Sequence, residues 1–148
     1  MSRTLYRFRN QWEVPVAPGR LFELLADVAG YPSWWPQVRA VARVDEDTAL
    51  VVCRSLLPYD LELALTRRVA DRRAGVLEAT IGGHLEGWSR WTLRAGGTGT
   101  DLVYEQEVRT PGALLAAATR LARPVLVGNH AWMMRGGRRG MQRLARWT

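Results

Sequence analysis

The last stretch of the chain, Arg123 to Thr148, most constrains what the rest can fold into. It opens on Pro124, a residue favoured in the first turn of a helix because its missing N–H would have no partner there, and no later proline interrupts it. Val127, His130, Met134, Gly137, Met141 and Leu144 then recur at alternating spacings of three and four, which puts them on one stripe of an α-helix. Arg135, Arg138, Arg139, Gln142, Arg143 and Arg146 take the other side. At 1.5 Å per residue such a helix runs about 35 Å, enough to cross a whole small sheet. Its apolar stripe needs a surface to lie on. The helix also carries Gly136 beside Gly137, each of which costs roughly 1 kcal/mol against alanine in a helix interior. Such a cost is understandable if something comes close to the helix there, either a strand or a bound molecule.

The remainder of the chain supplies the surface. From Leu5 to Val14, Tyr6, Phe8, Trp12 and Val14 share one parity while Arg7, Arg9, Gln11 and Glu13 hold the other, the period of a half-buried strand. Pro15 and Pro18 stop it, and Pro18 to Ala26 reads as a short amphipathic helix ended by Gly30. In YPSWWPQV two prolines flank Trp34 and Trp35, leaving room for one helical turn; these tryptophans should point in different directions and plug helix to sheet. A meander follows: Val38 to Val44, the acidic turn DED, Thr48 to Leu57 closed by Pro58, the strictly alternating Tyr59 to Thr66, Gly75 to Ile81, Leu85 to Arg94, and Asp101 to Arg109 after the turn AGGTGT. Turns this short imply antiparallel neighbours. Pro111 and Gly112 end the sheet, and LLAAATRLA should be a short helix or helical loop. One strand, two short helices, six strands and a long helix make an α+β fold.

Length and composition narrow the possibilities. With 148 residues and 47% hydrophobic content the chain is expected to form one domain, 1–148. It has no apolar run near the length of a transmembrane helix, and MSRTLYRFRNQWEV lacks the continuous apolar segment of a secretion signal, so a cytoplasmic location is expected. The single cysteine, Cys53, excludes an internal disulfide and sits in the apolar run ALVVC as a small hydrophobe rather than a reactive thiol. All 21 basic residues are arginine and the formal charge is +7, a surface able to attract phosphates or acidic partners.

Three stretches resemble the START and Bet v 1-like helix-grip (SRPBCC) superfamily, in particular its bacterial branch of polyketide cyclase/dehydrase and lipid-transport proteins. They are VPVAPGRLFELLADVAGYPSWWPQV, similar to the family's first strand, helix pair and Trp-Pro junction; WTLRAGGTGTDLVYEQEV, similar to its paired strands with a Gly-Thr turn; and NHAWMMRGGRRGMQRLAR, similar to its closing helix. The resemblance implies a seven-stranded antiparallel sheet curved around a long C-terminal helix, with two short helices after strand 1 and a hydrophobic cavity between sheet and helix. Related proteins bind lipids, hormones, quinones or polyketides, and only some are cyclases or dehydratases, so fold does not fix activity.

The leading expectation is a carrier holding an apolar lipid, quinone or polyketide in that cavity, against Tyr59, Trp88, Tyr104, His130, Met133 and Met134, with Trp35 near the entrance. The competing expectation is a polyketide aromatase/cyclase-dehydratase. His130 is its candidate proton-transfer group, set against a hydrogen-bonded core histidine. Arg90, by similarity to the interior arginine of aromatase/cyclase relatives, is its candidate carbonyl-polarising group, with Arg54 and Arg67 as other strand arginines and Ser89 or Tyr104 as neighbours. His84, beside Gly82 and Gly83, reads as an exposed turn residue or as part of the cavity mouth. No cofactor or metal is expected: AGGTGT lacks the P-loop lysine and its strand-to-helix context, and two histidines and one cysteine at unrelated places do not make a zinc site. RGGRRG could meet anionic surfaces or nucleic acid, but its arginines fall on the solvated side of the helix, so nucleic acid is not expected as a partner. A homodimer stays open.

Overall fold

The computed structural model describes residues 5–55, 59–109 and 119–146. Seven strands form one antiparallel sheet: β1 (Leu5–Val14), β2 (Val38–Arg43), β3 (Thr48–Cys53), β4 (Leu61–Asp71), β5 (Val76–Gly83), β6 (Glu86–Ala95) and β7 (Thr100–Arg109). They are ordered β1-β7-β6-β5-β4-β3-β2, so the consecutive strands β2 to β7 pair as a meander and β1 closes onto the last of them. Helix α1 (Pro18–Ala26) and a 3-10 helix (Val28–Ser33) join β1 to β2, and the long helix α2 (Thr119–Arg146) follows the sheet. This is the expected α+β helix-grip arrangement.

Local chemistry explains the elements. In β1 the alternation holds in space: Tyr6, Trp12 and Val14 are buried while Arg7, Arg9, Gln11 and Glu13 are exposed, and the strand pairs with β7 without interruption from Leu5 opposite Arg109 to Val14 opposite Thr100. Helix α1 starts on Pro18 and buries Leu21, Phe22 and Leu25. These join Trp12, Trp34, Trp35, Trp91, Leu102, Met134 and Met141 in the main core, and Tyr6, Ile81, Val108 and Leu126 form a second cluster toward the start of α2.

Strand β4 runs to Asp71, well beyond the expected end at Thr66. A bulge between Arg67 and Val69 sets an extra residue against β5, and the extra residue puts two arginines in succession, so alternation vanishes from the sequence while pairing continues. The strand's other end begins at Leu61, which leaves Tyr59 outside it and 41% exposed.

Helix α2 begins at Thr119, so Pro124 lies inside it rather than at its first turn. Proline φ suits a helix, and the cost is one missing N–H bond near the helix start. The buried stripe is also anchored one residue earlier than periodicity suggested: Leu126 is 8% exposed and Val127 46%. Both lie within one turn of His130, four and three residues away, so spacing cannot choose between them. From Met134 to Met141 the stripe is buried as expected, and Arg135, Arg138, Arg139 and Arg143 are exposed. The expected strand end at Leu57 and Pro58, the Pro111–Gly112 break and most of the 114–122 segment lie outside the described residues.

Gly136, Gly137 and Gly140 of α2 admit neither a strand nor a ligand but the Trp34–Gln37 turn. A Cβ on Gly137 would stand 2.9 Å from the Trp35 indole, and Cβ atoms on Gly136 and Gly140 would overlap the Gln37 side chain and the Trp34 carbonyl oxygen. Trp34 and Trp35 themselves do not diverge. Their rings stack 5.4 Å apart at 26°, and both are buried.

Candidate functional site

The inward face of the sheet and the underside of α2 do not close on one another. Between them lies a cavity of about 300 Å³, at the lower end of the range used for small molecules. Its apolar wall includes Val51, Leu61, Leu63, Leu77 and Ile81 from the strands, roofed by Leu126, Met133 and Met134 from α2. Exposed residues form a rim on the β2–β4 side. There the β2–β3 turn is ordered by Asp45, whose Oδ1 accepts the N–H groups of Asp47 and Thr48, both at 2.8 Å; these bonds hold its carboxyl below the usual carboxylate range. Arg67 braces the same rim, its guanidinium donating to the Ala26 carbonyl at 3.0 Å and its N–H to the Asp47 carbonyl at 2.7 Å.

Aromatic rings run through the interior from β1 to the Trp34–Gln37 turn. Tyr6 and Phe8 lie near-parallel, at 6.4 Å and 5°. Phe8 stacks face to face on the His130 imidazole at 3.7 Å and 9°, and His130 in turn lies 6.1 Å from Tyr104. Tyr104 meets Trp91 at 4.4 Å, and Trp91 meets Trp35 at 6.4 Å. The Trp35 Nε1 donates to the Met133 carbonyl at 2.8 Å, which ties the turn to α2.

Burial keeps the ionisable groups of this interior uncharged at neutral pH. It pushes the Tyr31 and Tyr104 hydroxyls well above the ordinary phenol range, pushes the Cys53 thiol up to about 12, and pulls His130 down to about 4. Most polar atoms here are already paired: the Tyr31 hydroxyl donates to the Leu25 carbonyl at 2.5 Å, and the Tyr104 hydroxyl donates to Gln106 Oε1. Two cavity-lining side chains keep a buried polar atom without a hydrogen-bond partner among the described residues, the Tyr6 hydroxyl and His130 Nε2. The chamber can therefore pack against apolar surface and offer neutral hydrogen bonds, rather than hold a charge. Among the described residues no group of three or more His, Cys, Asp or Glu side chains could hold a metal ion.

The structure gathers Trp35, Tyr104, His130, Met133 and Met134 at this cavity and leaves out the other residues singled out from sequence. Trp35 is buried in the core rather than set at the rim. Tyr59 lies outside, its ring edge-on to His84 at 5.7 Å, and His84 accepts the Glu62 N–H on Nδ1 at 2.9 Å instead of lining the mouth. Trp88 and Arg90 belong to the outer face of β6. Arg90 makes two bonds to Glu78, at 2.9 and 2.6 Å, and lies 4.9 Å over the Trp88 ring, so it is a sheet-surface ion pair and not a carbonyl-polarising group. Arg54 is exposed, whereas Arg67 reaches only the rim. The side chains overlooked were Tyr6, Phe8 and Trp91. Parity could have found them: Tyr6 and Phe8 share a face with Trp12 and Val14, and Trp91 shares one with Leu93, whereas Trp88 shares its face with Arg90 and Thr92.

A family model described as polyketide cyclase / dehydrase and lipid transport matches residues 14–130. Among solved structures, the Zhui aromatase/cyclase from Streptomyces sp. R1128 is similar at 15% identity and a TM-score of 0.82, covering 97% of this chain and 94% of that one. The di-domain ARO/CYC StfQ from the steffimycin biosynthetic pathway is similar at 14% identity and a TM-score of 0.67, covering 95% of this chain and 52% of its own. Ara h 8.0201 is similar at 14% identity and a TM-score of 0.64, covering 98% and 100%. At these identities the likenesses speak to fold alone. No curated protein sequence matches the chain significantly.

Proposed function

The chain belongs to the polyketide cyclase/dehydrase and lipid-transport family, and from that premise we propose that it is a carrier that binds an apolar small molecule of lipid, quinone or polyketide type in the cavity under α2. The observation that carries this is the cavity itself: about 300 Å³ left between sheet and helix, lined by aliphatic, aromatic and methionine side chains, where a core built only for stability would be filled. Methionines at Met133 and Met134 give the roof adaptable contact. The molecule is released from the purified protein and identified: native mass spectrometry should show a mass above that of the chain, and organic extraction should yield an apolar compound. A protein that neither carries nor takes up any apolar compound would not be a carrier.

A second reading, a cyclase-dehydratase acting on a poly-β-ketone, draws on the likeness to two aromatase/cyclases and on His130, which lines the cavity and whose buried Nε2 has no partner among the described residues. A neutral imidazole can accept a proton from carbon in an aldol closure and return it to a departing hydroxyl. Turnover of a poly-β-ketone by the wild-type chain that falls by about a hundredfold or more in His130→Phe would favour this second reading over the carrier.

A further inference from the structure

The cavity's two unpartnered polar atoms have a use. Buried hydroxyls and ring nitrogens are nearly always hydrogen-bonded, and each one left bare costs free energy that packing must offset. Here Tyr6, only 4% exposed, and His130 both line the cavity, and each carries one such buried atom at its wall, while the neighbouring Tyr104 hydroxyl already donates to Gln106. Phe8 covers one face of the imidazole at 3.7 Å, which leaves the ring's nitrogen-bearing edge as the polar part of His130 that a ligand could pair with. The rings around it are close to coplanar in orientation, 5° between Tyr6 and Phe8, 9° between Phe8 and His130 and 23° between His130 and Tyr104. Flat surfaces that share an orientation favour a flat guest.

Charge sets a second condition. Among the described residues the arginines lining the cavity are Arg43 and Arg67, both exposed, on β2 and β4. Tyr6 is on β1, whereas β4 lies four strands further along the sheet, and the Arg67 guanidinium is turned to the Ala26 carbonyl at the rim. A carboxylate beside Tyr6 and His130 would be desolvated with no cation to meet it.

We propose that Tyr6 and His130 form the polar anchor of the cavity, and that the molecule they select is a flat, uncharged ring system bearing a hydroxyl or carbonyl group. This rests on the carrier reading and narrows its ligand. A phenol hydroxyl or ring ketone meets a hydroxyl that can donate or accept, together with an imidazole nitrogen whose tautomer can adapt to either partner.

The test uses three probes of matched shape, 2-methylnaphthalene, 2-naphthol and 2-naphthoate, whose dissociation constants are measured by equilibrium dialysis at neutral pH against the full chain, Tyr6→Phe and His130→Phe. 2-Naphthol should bind about tenfold tighter than 2-methylnaphthalene, the worth of pairing one or two otherwise bare groups, and 2-naphthoate should bind no tighter than the hydrocarbon. Each variant should lose most of the preference for 2-naphthol over 2-methylnaphthalene. Should one variant fail to melt cooperatively, the other decides. Equal binding of the hydroxyl and methyl probes by the wild-type chain, a preference that survives the substitutions, or tighter binding of 2-naphthoate would overturn the anchor and leave the carrier standing. If none of the three probes binds, the anchor fails, and extraction of a bound apolar compound from the purified protein decides whether the carrier stands without it.

Discussion

At the scale of single residues, the glycines of α2 divide into those that hold the fold and one that does not. Gly140 faces the Trp34 carbonyl oxygen so closely that a methyl group would displace backbone, whereas Gly128 has nothing within 4 Å. Gly140→Ala should therefore destabilise the protein by about 3 kcal/mol through overpacking, and Gly128→Ala should stabilise it by roughly 0.5–1 kcal/mol through helix propensity; urea midpoints of the two variants check both signs. His130 makes a pH prediction. Its folded-state value is depressed to about 4 from 6.5, so between those values the unfolded chain binds the extra proton. The stability it contributes is fully present above about pH 6.5 and drains away as pH falls toward 4, up to about 3 kcal/mol. The stability of wild type relative to His130→Phe should fall over that window and stay flat above it. A flat difference throughout would mean the imidazole is solvated.

At the scale of elements, the Trp34–Gln37 turn and α2 depend on one another. The turn lies between the 3-10 helix and β2, the glycines of α2 make room for it, and Trp35 fastens it by its bond to the Met133 carbonyl. Trp35→Phe keeps an aromatic ring but loses that donor and part of the packing, and should cost about 2 kcal/mol. Hydrogen exchange should show the loss concentrated in α2 amides near Met133 rather than in β1 and β7, whose register is continuous. Elements of this kind were only half legible. The existence of α2 followed from its period, but its partner did not, because a glycine pair announces a close approach without saying what approaches. Likewise β4 lost its signature at the Arg67–Val69 bulge, where pairing persists and alternation does not.

At the scale of the whole molecule, function turns on space left unfilled. Met134, 3% exposed and part of the cavity roof, is where that space can be closed: Met134→Trp should weaken uptake of an apolar probe such as 2-methylnaphthalene by about tenfold or more, since each displaced contact area is lost to the ligand, while thermal melting remains cooperative. Unchanged uptake would place the probe elsewhere. The sequence by itself determined the element order and the α+β class, because strand and helix periods are local properties of ten or so residues, and the same periods put Tyr104, His130 and Met134 on inward faces. Only the tertiary structure decided that Arg90 is bound to Glu78, that Tyr59 falls short of its strand, and that Tyr6 shares a chamber with His130. Those outcomes depend on register, bulges and the seating of one helix on a sheet, where a shift of one residue exchanges inside for outside and no short-range pattern records which way it went.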